Sequence, residues 1–358
     1  MERRDGLLLL NAVGLFGHQI RALEAEYGDI VQAIERALSG DTDGDLLLDK
    51  LGAACSVFDL NSYKEKLRGL GVQATTILDG DYPDLLLEID DAPMVLYHRG
   101  ELNSPSYSLA VVGSRKCTSY ASWTVDKLVQ GLSEYGVTIV SGLALGVDKL
   151  AHIAALENGM RTVAVLGNGL DTVYPKSHLS LANRILDCCG AIISEFPLGA
   201  PPLPFHFPMR NRIISGLSLG VLVIEAQQKS GTLITAGLAA AQGREVFAVP
   251  GNINSLYSQG TNHLIRDGAK LVSRVEDIVE EIPSLMAMKQ SAEQIQRDLS
   301  DLSDGERRIY ELLVEEDRTI DELVALTNVN IGELTGQITL LEMRGLVRAM
   351  DNRWFIID

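Results

Sequence analysis

Residues 108–116 read SLAVVGSRK, and residues 137–152 read VTIVSGLALGVDKLAH. Each opens on a short apolar run rich in β-branched side chains, breaks off at a glycine, and passes into a helical pattern. An apolar run with no polar alternation marks a strand buried on both faces. Working outward from 108–112 and 137–140, similar runs recur at 162–166, 191–194, 220–224 and 245–249. Helical stretches lie between them at 122–135, 147–158 and 233–242. Strands alternating with helices predict right-handed βαβ units and an α/β fold, a doubly wound parallel sheet covered on both sides.

The flanks read differently. In residues 1–70, Leu23, Tyr27, Ile30, Ile34 and Leu38 recur at helical spacing. The turn Val13-Gly14-Leu15-Phe16-Gly17 fits either a plain helical bundle or a helix-hairpin-helix whose loop amides hold a phosphate. Residues 71–104 are mixed, with a turn at Asp79-Gly80-Asp81-Tyr82-Pro83, and Asn103-Ser104-Pro105 reads as a linker. Residues 284–300 are polar and read as a linker helix or mobile segment. Beyond them, Thr319 and Glu322 form a capping box. Ile331, Leu334, Ile338 and Leu341 give a second helix one apolar face, Gly345 ends it, and 346–350 and 353–357 flank a turn at Asp351-Asn352. That pattern predicts a winged helix-turn-helix. The expected domains are 1–104, 105–284 and 302–358.

The chain has 358 residues, 46% hydrophobic and 22% charged, enough for two or three domains with a sizeable core. A membrane-spanning helix needs about 20 apolar residues, and runs such as Leu7–Leu10 are far shorter. That leucine run is also too short for a signal peptide. The four cysteines, Cys55, Cys117, Cys188 and Cys189, form no CxxC pair. No metal site or disulfide framework is expected, and the reading is a reduced, cytoplasmic protein. Net charge is −17. It is uneven: residues 1–104 hold 9 basic and 19 acidic side chains, 105–285 hold 14 of each, and 286–358 hold 8 and 15. The neutral centre leaves room for a local anion site in an acidic protein.

In an open parallel sheet, ligands bind beyond the carboxyl ends of the strands. There lie Gly113-Ser114-Arg115-Lys116, where glycine allows close approach and Arg115 offers a fork of donors to a phosphate. A surface arginine after a tight turn is the competing reading. Gly142 and Gly146 precede the helix that carries His152, which has no identifiable carboxylate partner and reads as structural. Gly167-Asn168-Gly169 lacks the third glycine of a dinucleotide fingerprint, so NAD or FAD is disfavoured. Lys176 sits just before a helix, where a second phosphate could lie. Phe205-His206-Phe207-Pro208-Met209-Arg210-Asn211-Arg212 combines aromatic faces with cations, the recipe for single-stranded nucleic acid. Alternatively, both phenylalanines pack under the loop and Arg210 and Arg212 pair with acids such as Glu195 and Glu225. Lys229-Ser230-Gly231-Thr232 looks like a phosphate-binding turn, but no Walker A loop is present and ATP hydrolysis is not expected. So many anion-friendly loops on one sheet edge suggest an extended polyanion.

With Tyr174-Pro175-Lys176, Phe205-x-Phe207-Pro208-x-Arg210-Asn211-Arg212-Ile213-Ile214, Lys229 to Thr235 and Pro250-Gly251 added, residues 105–275 closely resemble the DNA-processing protein DprA (Smf) family. The resemblance implies an extended Rossmann domain between an N-terminal helical domain of the sterile-alpha-motif (SAM) type and a C-terminal winged helix. It implies single-stranded DNA binding, a homodimer, loading of the recombinase RecA during natural transformation, no enzymatic activity and no cofactor. Carried onto this chain, Arg115 and Lys176 would grip the backbone, with Gly113, Ser114 and Gly142 at the same loops. Arg210, Asn211 and Arg212 would shape the pocket, Phe207 would stack on a base, and Lys229, Ser230, Gly231 and Thr232 would add contacts.

Two departures stand out. Pro201-Pro202-Leu203-Pro204 supplies none of the basic residues some relatives carry there. The expected recognition helix, 330–344, has one basic residue, Arg344, beside Glu333 and Glu342, which favours protein contact over base reading. An enzymatic alternative is a nucleoside-monophosphate phosphoribohydrolase of related fold, but Thr235 stands where its catalytic glutamate would be. A protein scaffold that has lost DNA binding is a further alternative.

Overall fold

The computed structural model describes residues 1–102, 107–287, 302–344, 346–350 and 353–356. The Asn103-Ser104-Pro105 linker, most of the polar segment 284–300, Gly345 and the Asp351-Asn352 turn lie outside the described residues. The chain forms two compact units, Met1–Leu285 and Met286–Asp358.

Among the described residues the first unit is built on a nine-stranded sheet. Its strands are β1 (Gln73–Thr76), β2 (Val95–Gly100), β3 (Ser108–Val112), β4 (Thr138–Ser141), β5 (Thr162–Val165), β6 (Ala191–Ser194), β7 (Gly220–Val223), β8 (Glu245–Ala248) and β9 (Lys270–Leu271). The order is β1-β2-β6-β5-β4-β3-β7-β8-β9. From β6 to β9 the neighbours are parallel, and β2 joins β1 and β6 antiparallel. All five residues of β3 are buried because both faces are covered. Leu109 and Val111 enter one core with Val125, Leu128 and Ala151. Ala110 and Val112 enter the other with Ile213, Ile214 and Ala236, as the two-residue side-chain period of a strand dictates.

The segment expected to be a connector therefore supplies two strands of the sheet, β1 and β2. Short strands separated by a turn and a four-residue helix, Asp84–Leu87, give no alternation long enough to read. The boundary expected at 104 is also bridged by packing. Leu7, Leu10, Ile20 and Ile34 of the N-terminal helices share one core with Tyr97, Ala164 and Ile192 of the sheet.

Those helices are Arg3–Ala12, Gly17–Tyr27, Ile30–Ser39, Leu46–Ser56 and Leu60–Gly69. The periodicity from Leu23 to Leu38 spans two of them. Gly28 adopts φ +80°, Asp29 caps the next helix by accepting from Val31 N at 2.9 Å, and Leu38 faces solvent. In the turn at 13–17 most backbone amides are already engaged within the turn and the helix before it. Gly14 N and Leu15 N donate to Asn11 O and Leu10 O, and Phe16 N donates to Gln19 Oε1.

In the second unit, helices Asp304–Glu315, Ile320–Thr327 and Ile331–Met343 pack against the hairpin β10 (Val347–Met350) and β11 (Arg353–Ile356). The capping box forms: Glu322 N donates to Thr319 Oγ1 and Thr319 N to Glu322 Oε2. Leu334, Ile338 and Leu341 are buried, but Ile331, expected on the same face, is exposed.

Where the helices Ile30–Ser39 and Leu46–Ser56 cross, a Cβ on Gly52 would sit 2.2 Å from the Ala37 carbonyl oxygen. Gly52→Ala must separate the two backbones. It is expected to cost about 1–3 kcal/mol, read as a lower midpoint in thermal unfolding followed by circular dichroism.

Candidate nucleic-acid interface

The chain leaves β3 toward β4 on one side and later returns to β7 on the other. The carboxyl ends of β3 and β7 thus flank the point where the winding reverses, and connections running in opposite directions leave a crevice there. A cleft of about 780 Å³ occupies that place. Its lining includes Gly113, Ser114, Arg115, Lys116, Tyr174, Phe207, Arg210, Asn211, Ser230, Gly231 and Thr232.

Two glycines set how closely the loops meet. A Cβ on Gly113 would lie 2.6 Å from Val147 Cγ2. Gly146 has φ +78°, and its Cβ would fall 2.1 Å from the Ser114 carbonyl oxygen. The loops after β3 and β4 are joined by Val147 N donating to Ser114 O at 3.1 Å. Ser114 Oγ donates to Lys116 O and accepts from Lys116 N, which closes the turn that presents Arg115. Arg115 and Lys116 are exposed.

Arg115 does not stand alone. Its guanidinium carbon lies 5.2 Å from the centre of the Phe207 ring, and the Tyr174 ring lies 5.8 Å from Phe207. A cation over an aromatic face beside a second ring gives a site that accepts a phosphate and a base together.

Beneath this surface group lies Arg210, almost fully buried. Its Nη1 donates to Gly142 O at 2.6 Å and to Val165 O, and its Nε donates to Asn211 Oδ1 at 3.2 Å. A Cβ on Gly142 would reach 2.4 Å from Nη1, so only glycine leaves room for the guanidinium. Burial pushes the Arg210 pKa down to about 10, against the attraction of Asp148. Asp148 lines the cleft and accepts from Gly142 N and Ala144 N at 3.2 and 3.4 Å. Burial raises its pKa, and Arg210 opposes that rise.

The helix Gly231–Ala241 aims its N-terminus at the cleft, with Ser230 accepting from Thr232 N. Such an end favours anions. Of the other expected residues, Lys176 and Lys229 are exposed but outside the cleft lining. Arg212 points away from it. Its Nη2 meets Glu195 Oε2 at 2.5 Å and its Nε meets Asp91 Oδ2 at 3.0 Å, so it is a structural cation. Glu225 is taken by Thr118, whose N and Oγ1 both donate to it. Neither glutamate lines the cleft, whereas Thr235 does. His152 is buried, its Nδ1 bonded to Thr162 Oγ1, and burial pushes its pKa down to about 3. Tyr174 was missed as a ring for the site. Nothing in Tyr174-Pro175-Lys176 signals a ring partner, and only the fold brings Tyr174 to Phe207.

A family model described as DNA recombination-mediator protein A matches residues 73–283, and one described as DprA winged helix domain matches residues 293–352. The chain belongs to the DprA family. It is 49% identical over 210 residues to the DNA processing protein DprA of Streptococcus pneumoniae, covering 58% of this chain and 73% of that one. With Protein Smf of Escherichia coli it shares 42% over 273 residues, 75% of this chain and 73% of the relative. The X-ray structure of the S. pneumoniae DprA superposes with a TM-score of 0.68 at 40% identity, covering 78% of this chain and 98% of that one. A DprA structure from Helicobacter pylori, described for its single-stranded DNA binding mode, superposes at 0.52 with 30% identity, covering 59% and 95%.

Within this DprA-family chain, the division of labour between Arg210 and Arg212 can be tested. Arg212→Met strands Glu195, whose carboxylate is buried. It is expected to cost about 3–5 kcal/mol in chemical denaturation, and Arg212→Met combined with Glu195→Leu to recover most of that loss.

Proposed function

We propose that this chain binds single-stranded DNA in the cleft at the β3–β7 switch point, protects it, and hands it to the recombinase RecA during natural transformation, acting as a homodimer. The observation that carries the DNA reading is the Arg115–Phe207–Tyr174 cluster at the cleft, above the buried Arg210. Family membership and the single-strand binding described for the H. pylori relative support it. The delivery to RecA and the pairing of two copies rest on the resemblance to the family.

The mechanism is passive. Arg115 and Lys116 neutralise successive phosphates, the helix N-terminus at Ser230–Thr232 adds its dipole and the Gly231 amide, and Phe207 and Tyr174 receive bases. Lys176, exposed beyond the cleft, extends the backbone grip. Every base has a π-face, so stacking reads no sequence. Two linked pockets on one strand raise avidity through effective concentration. No covalent step is required. The winged helix takes a protein-contact role, supported by the exposed Ile331, Leu340 and Met343 on its third helix.

Fluorescence anisotropy of labelled single- and double-stranded oligonucleotides over a salt series tests the reading. Tight single-strand binding is expected, falling steeply with salt. Arg115→Ala should weaken it and reduce the slope of log K against log salt by about 0.7, one single-strand phosphate contact. Absence of single-strand binding at low salt would overturn the proposal, and release of free base from AMP would point to the hydrolase alternative.

A further inference from the structure

The helix Ser119–Leu132 carries two large aromatic side chains open to solvent, Tyr120 at 43% and Trp123 at 58% exposure. Their rings are stacked, with centres 6.5 Å apart and planes 24° from parallel. Lys127 places its ammonium 5.0 Å from the centre of the Trp123 ring. We infer that Tyr120, Trp123 and Lys127 form a second stacking platform, onto which single-stranded DNA continues as it leaves the cleft. This rests on the single-strand reading above and extends its footprint.

Position supports the inference. Lys116 lines the cleft, Thr118 caps the helix by accepting from Ala121 N, and Tyr120 follows two residues later. Tyr120 Oη donates to the Pro250 carbonyl at 3.0 Å, and Pro250 lies just past the end of β8. The platform is therefore at the same carboxyl edge of the sheet as the cleft, on the β8 side.

Charge supports it too. Lys116, Lys127 and Lys229 are all exposed. Ala226 N donates to Tyr257 O at 2.8 Å, which brings the loop carrying Lys229 beside the loop that follows Pro250. Lys229, outside the cleft lining, is thus carried by a loop on the β8 side of the cleft. Asp126 is the exposed acid next to Lys127, and Glu225 is held by Thr118. The hydrogen bond to Pro250 fixes the Tyr120 ring before any ligand arrives, so little side-chain entropy is lost on stacking. An exposed aromatic pair beside cations is the pattern that single-strand grooves use.

The chain has two tryptophans, so the difference in fluorescence between wild type and Trp123→Phe isolates Trp123. Full-length protein is titrated with oligothymidines from about 4 to about 16 nucleotides, the span of single-strand site sizes. Quenching of Trp123 is expected to begin only above a threshold length. Trp123→Ala should weaken the longest oligonucleotide about tenfold and leave the shortest unaffected, while Trp123→Tyr retains most of the affinity. Lys127→Ala should lower the salt slope for the long oligonucleotide alone. Long oligonucleotides bound equally by wild type and Trp123→Ala, without quenching, would overturn the platform and leave the cleft standing. A change of oligomeric state in Trp123→Ala by sedimentation would instead assign the pair to a contact between copies and overturn it as well. Wild type that binds no oligothymidine of any length at low salt would sink the single-strand reading and the platform together.

Discussion

Arg210 fastens one helix to the carboxyl ends of two neighbouring strands, β4 and β5. From the helix His206–Gly216 its guanidinium reaches the Gly142 carbonyl just beyond β4 and the Val165 carbonyl at the end of β5. A buried guanidinium is tolerable only when acceptors and a counter-charge surround it. Much of the local sequence follows from that demand. Position 142 has no room for a Cβ, Asp148 supplies the opposing charge, and Gly142 and Ala144 donate their amides to that carboxylate. The same docking sets Phe207 under Arg115. Arg210 and Asp148 cancel one another in charge, so attraction for an anion comes from Arg115 and Lys116 above them.

A net charge of −17 and a polyanionic ligand are compatible because the charges are segregated. The excess acid lies in residues 1–104 and 286–358. Exposed charges further apart than a Debye length, about 8 Å at physiological salt, are largely screened from one another. Cations at the carboxyl edge of the sheet therefore act locally, while the remaining surface repels nucleic acid. In such a molecule, binding depends on a few well-placed contacts rather than on a general basic field.

Much of this was legible in the sequence. The runs at 108–112 and 191–194 are β3 and β6 to the residue, because strands buried on both faces leave an unbroken apolar signature. The loops of the cleft were legible through glycine, whose positions at 113, 142 and 146 are those where a Cβ would collide with a neighbour. What escaped had physical reasons. β9 is two residues long, and β1 and β2 are separated by a turn and a four-residue helix, too short for periodicity to register. Gly28 broke a helix inside a continuous apolar pattern, because the faces of two consecutive helices enter the same core. Tyr174 came to the site through the loop after β5, and its ring partner, Phe207, lies far along the chain.

The clearest lesson concerns the Arg210-Asn211-Arg212 triplet, expected to act as one group. A helix turns by about 100° per residue, so neighbours two apart point about 200° from one another. Phe207, Arg210, Asn211 and Ile214, spaced by three and four, share the face that lines the cleft. Arg212 then has to look the other way, toward Glu195 and Asp91. Asp91 also holds Arg21 of the N-terminal helices at 3.0 Å, and Asn11 donates to the Glu195 carbonyl. One helix therefore presents the cleft on one side and fastens the N-terminal helices on the other. Both roles were encoded in spacing, and helical geometry assigns them once the start of the helix at His206 is known.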